Sequence, residues 1–247
     1  ALVDGFSGEV ILEPDAGAIG RLNSPQEKST DTSQGTYTAD GTHVSIYSAD
    51  APGAPLPEYA DGIAVFGCPL LSDETKQYEY YRAIAERTPD CRAIIKMPVI
   101  SPKDPDRQIK YDQQIRAVFR AASHGEPGIL FPMITSVPEA RKILAACDDA
   151  KMQLRAEGVK CSENVRIGFM VETPAAAIIS DCLAPMADFF IIDSDSIARH
   201  TLACYEEDCF SPDFAGGQLE AVMRLIGNSA RNAVKNGARI GICGSLA

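Results

Sequence analysis

The stretch Val165-Arg166-Ile167-Gly168-Phe169-Met170-Val171-Glu172-Thr173-Pro174-Ala175-Ala176-Ala177 decides the fold. As far as Val171 it is apolar enough for a strand buried on both faces, and it turns polar at Glu172. Thr173-Pro174 then supplies a capping hydroxyl and a proline at the first helical position. A strand that feeds directly into a helix is one βα step. Working outward, the same step recurs: β-type runs at 44–48, 62–66, 93–99, 128–134, 165–172, 188–193 and 239–243, and helix-length segments at 73–87, 107–122, 137–157, 173–187 and 217–236. Ser72-Asp73-Glu74 and Ser136-Val137-Pro138-Glu139 mark two helix starts. Seven such strands predict an α/β fold, a (β/α)8 TIM barrel that lacks its last strand at Ala247. The competing open doubly wound sheet lacks a Gly-rich phosphate loop after its first strand.

The flanks read differently. Residues 1–19 carry two short apolar runs around Asp4-Gly5-Phe6-Ser7-Gly8, an N-terminal β-hairpin remnant, and residues 20–42 are polar enough for a linker. The barrel is expected over 43–247. Because the chain starts at Ala1 and stops just after a strand, it reads as a piece of a longer polypeptide.

Composition narrows the function. With 23 basic and 34 acidic residues the net charge is −11, and no basic run exists, which argues against nucleic acid and anionic lipid as partners. No apolar stretch reaches the roughly 20 residues of a membrane span, and the first residues lack the basic and apolar regions of a signal peptide, so an unexported chain is expected. The eight cysteines form no C-x-x-C pair, a pattern that points to reduced thiols and a cytoplasmic location.

Chemistry in such a barrel belongs at the C-terminal strand ends. There the sequence offers Gly67-Cys68, Lys96-Met97-Pro98, Pro132-Met133, Glu172-Thr173, Asp193-Ser194-Asp195-Ser196 and Cys243-Gly244-Ser245.

These segments carry a resemblance. Ile129-Leu130-Phe131-Pro132-Met133-Ile134, Gly168 to Ala177, Ala187-Asp188-Phe189-Phe190-Ile191-Ile192, Thr201-Leu202-Ala203 and Ile242-Cys243-Gly244 occur in a characteristic order, and Gln113 to Ala121 is similar to a Q-L-R-A-I-L-R-A helix. Together they resemble the C-terminal phosphoenolpyruvate (PEP)-binding barrel of enzyme I of the bacterial sugar phosphotransferase system, itself similar to that of pyruvate phosphate dikinase and PEP synthase. The resemblance implies a PEP-protein phosphotransferase, with Mg²⁺-dependent phosphoryl transfer to an upstream histidine domain and a homodimeric assembly. It implies Cys243 as the acid that protonates the enolate, and Glu172 and Asp195 as metal ligands. Lys96, Met133 and Ser196 are its implied substrate contacts, with PEP or pyruvate as the small anion.

Several positions depart from the family pattern. The family's ligand aspartate falls at Ser196, with an acid one residue early at Asp195; a one-residue shift in a strand reverses the face. Family arginines are replaced by Gly67, Lys96 and Glu206, and the arginine-bearing loop by the shorter 99–107. A phosphate and a carboxylate entering one pocket need guanidinium groups and a metal to meet their charge. The rim instead carries Glu172, Asp193, Asp195, Glu206, Glu207 and Asp208 against Lys96 alone. The expectation is a barrel that keeps the fold and loses PEP activity. Two alternatives stand beside it: a non-catalytic dimerisation or regulatory barrel, and metal-dependent chemistry of the pyruvate aldolase or citrate-lyase kind, which needs fewer arginines.

Plainer readings exist for each residue. Glu172 suits a helix N-terminus, Cys243 a small buried apolar site, Lys96 a snorkelling strand end, Asp193 and Asp195 helix caps or turns, and His200 packing. A barrel short of one strand leaves edges that invite pairing. The chain is therefore expected to self-associate; light scattering that finds a monomer at micromolar concentration, with a cooperative thermal transition, would refute both that and the dimer.

Overall fold

A computed structural model of the protein describes residues 2–3, 10–11, 36–38, 40–49, 60–87, 92–162, 164–203 and 219–246. Leu2–Val3 (β1) and Val10–Ile11 (β2) pair antiparallel; the turn between them and most of 1–19 lie outside the described residues. Of the expected linker 20–42, only 36–38 and 40–42 are described, and there Tyr37 forms an isolated bridge to His43.

Seven strands follow: Tyr47–Ser48 (β3), Gly62–Val65 (β4), Arg92–Lys96 (β5), Pro127–Phe131 (β6), Arg166–Val171 (β7), Phe189–Asp193 (β8) and Arg239–Cys243 (β9). Each hydrogen-bonds in parallel to the next, in the order β3-β4-β5-β6-β7-β8-β9. The helices are Glu74–Arg87 (α1), Arg107–Ala121 (α2), Val137–Ala156 (α3), Pro174–Ile178 (α4), Ser180–Leu183 (α5), Ser194–Leu202 (α6) and Leu219–Lys235 (α7). The result is a curled parallel sheet, a half-barrel; among the described residues no pairing closes β9 onto β3 and no eighth strand follows. No described helix is long and apolar enough to cross a membrane.

The strand runs were read correctly because their apolar residues must serve two faces. Ile63, Val65, Ala93, Ile95, Ile129, Phe131, Phe169, Val171, Phe190 and Ile192 belong to the large core shared with the helices. Their alternates, Ala64, Ile94, Leu130, Met170 and Phe189, form a second, smaller cluster on the inner face. Helix starts also obey the sequence signals. Ser136 accepts from Glu139 N at 3.4 Å and Thr173 from Ala176 N at 3.1 Å.

Two helical readings need correction. The single helix expected over 173–187 is broken into α4, α5 and a 3-10 turn, Ala184–Met186. Ile179 leaves helical geometry, and Pro185 cannot donate a backbone hydrogen bond. The break is stitched by α7, whose Asn228 and Asn232 side-chain amides donate to Ala177 O (3.1 Å) and Ser180 Oγ (2.9 Å). Conversely, α6 occupies residues for which the sequence predicts no helix of their own, only a helix-cap or turn role for Asp193 and Asp195. Asp193 makes it, its carboxylate accepting from Asp195 N and Ser196 N at 3.2 and 3.1 Å.

Phe189 fills the inner face by lying across two glycines. A Cβ on Gly168 would stand 2.2 Å from the ring and one on Gly128 3.2 Å. Gly168→Ala therefore overpacks the inner face and is expected to destabilise by about 1–3 kcal/mol in urea denaturation. Combining it with Phe189→Leu should recover part of that loss; additive losses would refute the contact.

Candidate functional site

The strand register gathers the chemistry. Asp193 of β8 is aligned with Cys243 of β9, and Val171 of β7 with Ile192, so Glu172 falls beside Asp193. By alternation from Met170, Ile191 and Gly241, all three side chains issue from the inner face. Lys96, two residues beyond Ile94, issues from the same face of β5.

Glu172 is the centre of the group. Its Oε1 accepts from Lys96 Nζ at 2.8 Å and its Oε2 from Met133 N at 2.7 Å. The two side chains of the ion pair are 18% and 6% exposed. Lys96 thus does not snorkel into water; a carboxylate with little solvent of its own holds it at the mouth. Met133 adopts φ +56°, a left-handed conformation rare outside glycine and costly by about 1–2 kcal/mol. The Glu172 carbonyl accepts from His200 Nδ1 at 2.8 Å, which places that ring proton on Nδ1 because a carbonyl can only accept. His200 is exposed, so the packing role read from sequence does not hold.

The remaining acids are committed to backbone. Asp193 caps α6 and also accepts from Ser196 Oγ at 2.8 Å, so the Ser196 hydroxyl is held within the cap. Asp195 accepts from Ser245 N at 3.0 Å, tying the residues after β9 to α6. Gly244 sits at φ +96° in that crossing, where a Cβ would lie 2.5 Å from Ser194 Oγ.

Cys243 is half-buried, and its thiol is pushed up to about 12 by burial first and Asp193 next; Lys96 opposes the rise, while Glu172 and Asp195 add to it. It is a protonated thiol at neutral pH, able to give a proton but not to act as a thiolate.

A divalent metal does not fit these residues. Both Glu172 oxygens have donors, one of them cationic, and among the described residues no three His, Cys, Asp or Glu side chains could hold a metal ion. Glu206, Glu207 and Asp208, counted at the rim from sequence, lie outside the described residues. What the sequence could not reveal was the partnership across 76 positions between Lys96 and Glu172 or the backbone donor at Met133; the helix-cap reading of Asp193 holds.

Comparison with known proteins follows this geometry. Residues 104–247 match the model of the PEP-utilising enzyme family, PEP-binding domain. Phosphoenolpyruvate-protein phosphotransferases from Streptococcus equinus and Buchnera aphidicola subsp. Schizaphis graminum are 27% and 28% identical over 99% and 100% of the chain. The chain spans about half the length of these curated relatives, 50% in each case. A citrate lyase structure from Burkholderia xenovorans LB400 overlays 74% of the chain and 55% of its own at a TM-score of 0.51 and 15% identity, a likeness of fold alone.

The ion pair sets an expected outcome. Lys96→Met strands a buried carboxylate and should cost about 3–5 kcal/mol by chemical denaturation, whereas Lys96→Met with Glu172→Gln should regain most of it. A single variant as stable as the wild type would show that the pair is not formed in solution.

Proposed function

Because the chain belongs to the PEP-binding domain family of the PEP-utilising enzymes, we propose that it is an enzyme I-like barrel whose mouth has lost PEP-metal turnover. One observation carries the reading. The ammonium of Lys96 at the end of β5 is already bound by Glu172 at 2.8 Å, and Asp193 stands beside Glu172 on the adjacent strand.

PEP brings a phosphate and a carboxylate. A like-charge contact at ~4 Å costs about 4 kcal/mol at an effective dielectric near 20, so each unpaired carboxylate at the mouth opposes entry. In the family pattern arginines answer that charge. Here Gly67 follows β4 at one arginine position, and a Cβ there would meet nothing within 4 Å. The Cβ position is unobstructed, and the guanidinium is missing.

What the chain's own residues can still do is limited and definite. Lys96 and Met133 N hold the Glu172 carboxylate in place. Cys243 keeps its proton on Sγ, at the end of β9 on the inner face. The reading therefore retains a proton donor and drops the apparatus that binds phosphate. Phosphoryl transfer of the kind named for the relatives is, on this reading, no activity of this barrel.

The test is thermal denaturation with PEP and Mg²⁺. A ligand at 100 times its Kd adds about 2.7 kcal/mol of stability, a visible rise in Tm. The expected outcome is no rise at millimolar PEP. A PEP-dependent rise that disappears in Glu172→Gln would restore the catalytic reading.

A further inference from the structure

We propose that Lys96 is a resident cation, standing where the family's divalent metal would meet Glu172, and that it makes the mouth blind to divalent ions. The inference deepens the functional reading above and rests on it.

Three features of the mouth point the same way. Lys96 Nζ sits 2.8 Å from Glu172 Oε1 in a pair largely shielded from solvent. A hard divalent ion binds carboxylate oxygen at about 2.0–2.6 Å, so an ion on Oε1 would share that oxygen with the ammonium. Two cations on one oxygen in a poorly solvated pocket repel strongly, and the tethered one cannot leave by diffusion. The second oxygen is closed by a different device. Met133 N donates to Oε2 at 2.7 Å from a backbone held at φ +56°, a conformation that aims the N–H at the carboxylate.

The third feature is the commitment of the neighbouring acids. Asp193 spends both oxygens on the first turn of α6, and Asp195 accepts from Ser245 N. Asp193 therefore has no oxygen without a donor, whereas Asp195 is engaged through Oδ1 alone. Lys96 therefore acts as a specificity-determining residue: it supplies one fixed positive charge and excludes the mobile double charge. A small carboxylate entering the mouth would meet an ammonium whether or not metal is present.

Mn²⁺ is the probe, followed by electron paramagnetic resonance and calorimetry on the full 247-residue chain. The wild type should show no Mn²⁺ binding that depends on Glu172. Lys96→Ala should gain Mn²⁺ affinity by roughly tenfold or more, the scale on which a single neighbouring group changes a metal site, and Lys96→Ala with Glu172→Gln should lose it again. Lys96→Arg, which keeps the charge, should remain blind. Should Lys96→Ala fail to fold, Lys96→Gln keeps a hydrogen bond to Oε1 without the charge and gives the same readout.

Wild-type Mn²⁺ binding that is abolished by Glu172→Gln overturns the inference. So does a folded, charge-free Lys96 variant with no gain. Glu172-dependent Mn²⁺ binding without a PEP-induced rise in Tm defeats the resident cation and leaves the functional reading standing. A PEP-induced rise in a chain that ignores Mn²⁺ does the reverse.

Discussion

A parallel sheet covered by helices must bury both of its faces, and this constraint shapes the rest of the half-barrel. The outer face meets the large core through residues such as Ile95, Phe131, Phe169 and Val171, all fully buried. The inner face has only side chains from other strands to fill it. Phe189 does much of that filling, and Gly128 and Gly168 are small because its ring lies over them. Among the described residues, cover thins toward the last strand. The outward Ile240 and Ile242 of β9 are 37% and 41% exposed, against 0% and 2% for Phe190 and Ile192 on the adjacent strand.

The same period of two carries polar residues inward at the strand ends, where they must find partners or be penalised. Lys96 and Glu172 answer each other, Asp193 answers the free N–H groups of α6, and Asp195 answers Ser245. An ion pair of this kind is weak evidence for added stability, since desolvation offsets most of the attraction. Its value is directional. It fixes where one ammonium stands, and the left-handed Met133 turns a backbone donor onto the other carboxylate oxygen. Together they leave Glu172 with no oxygen lacking a donor.

Local patterns were legible in the sequence. The strands were visible because four to eight apolar residues between helical segments have few other uses, and the caps at Ser136 and Thr173 because their chemistry is confined to a few adjacent residues. The break after Ile178 was not, since it depends on Asn228 and Asn232 of α7 arriving from about fifty residues away. Helix α6 was hidden because Asp193-Ser194-Asp195-Ser196 has the composition of a turn, and one side chain in it turns that composition into a helix start. At the mouth, the identities of Glu172 and Cys243 were readable, and so was the scarcity of arginine. The pairing of Lys96 with Glu172 was not, because a lysine at a strand end reads as solvent-facing until the opposing strand is in place.

A matched motif specifies a residue, whereas chemistry belongs to the constellation around it. Glu172 retains the side chain of the family's metal ligand, yet a carboxylate with an ammonium on one oxygen and an amide on the other is an acceptor already in use. Cys243 holds its proton more firmly than a free thiol because of its burial first and Asp193 next. A tethered ammonium beside Glu172 balances one carboxylate charge at the mouth without a dissociable ion.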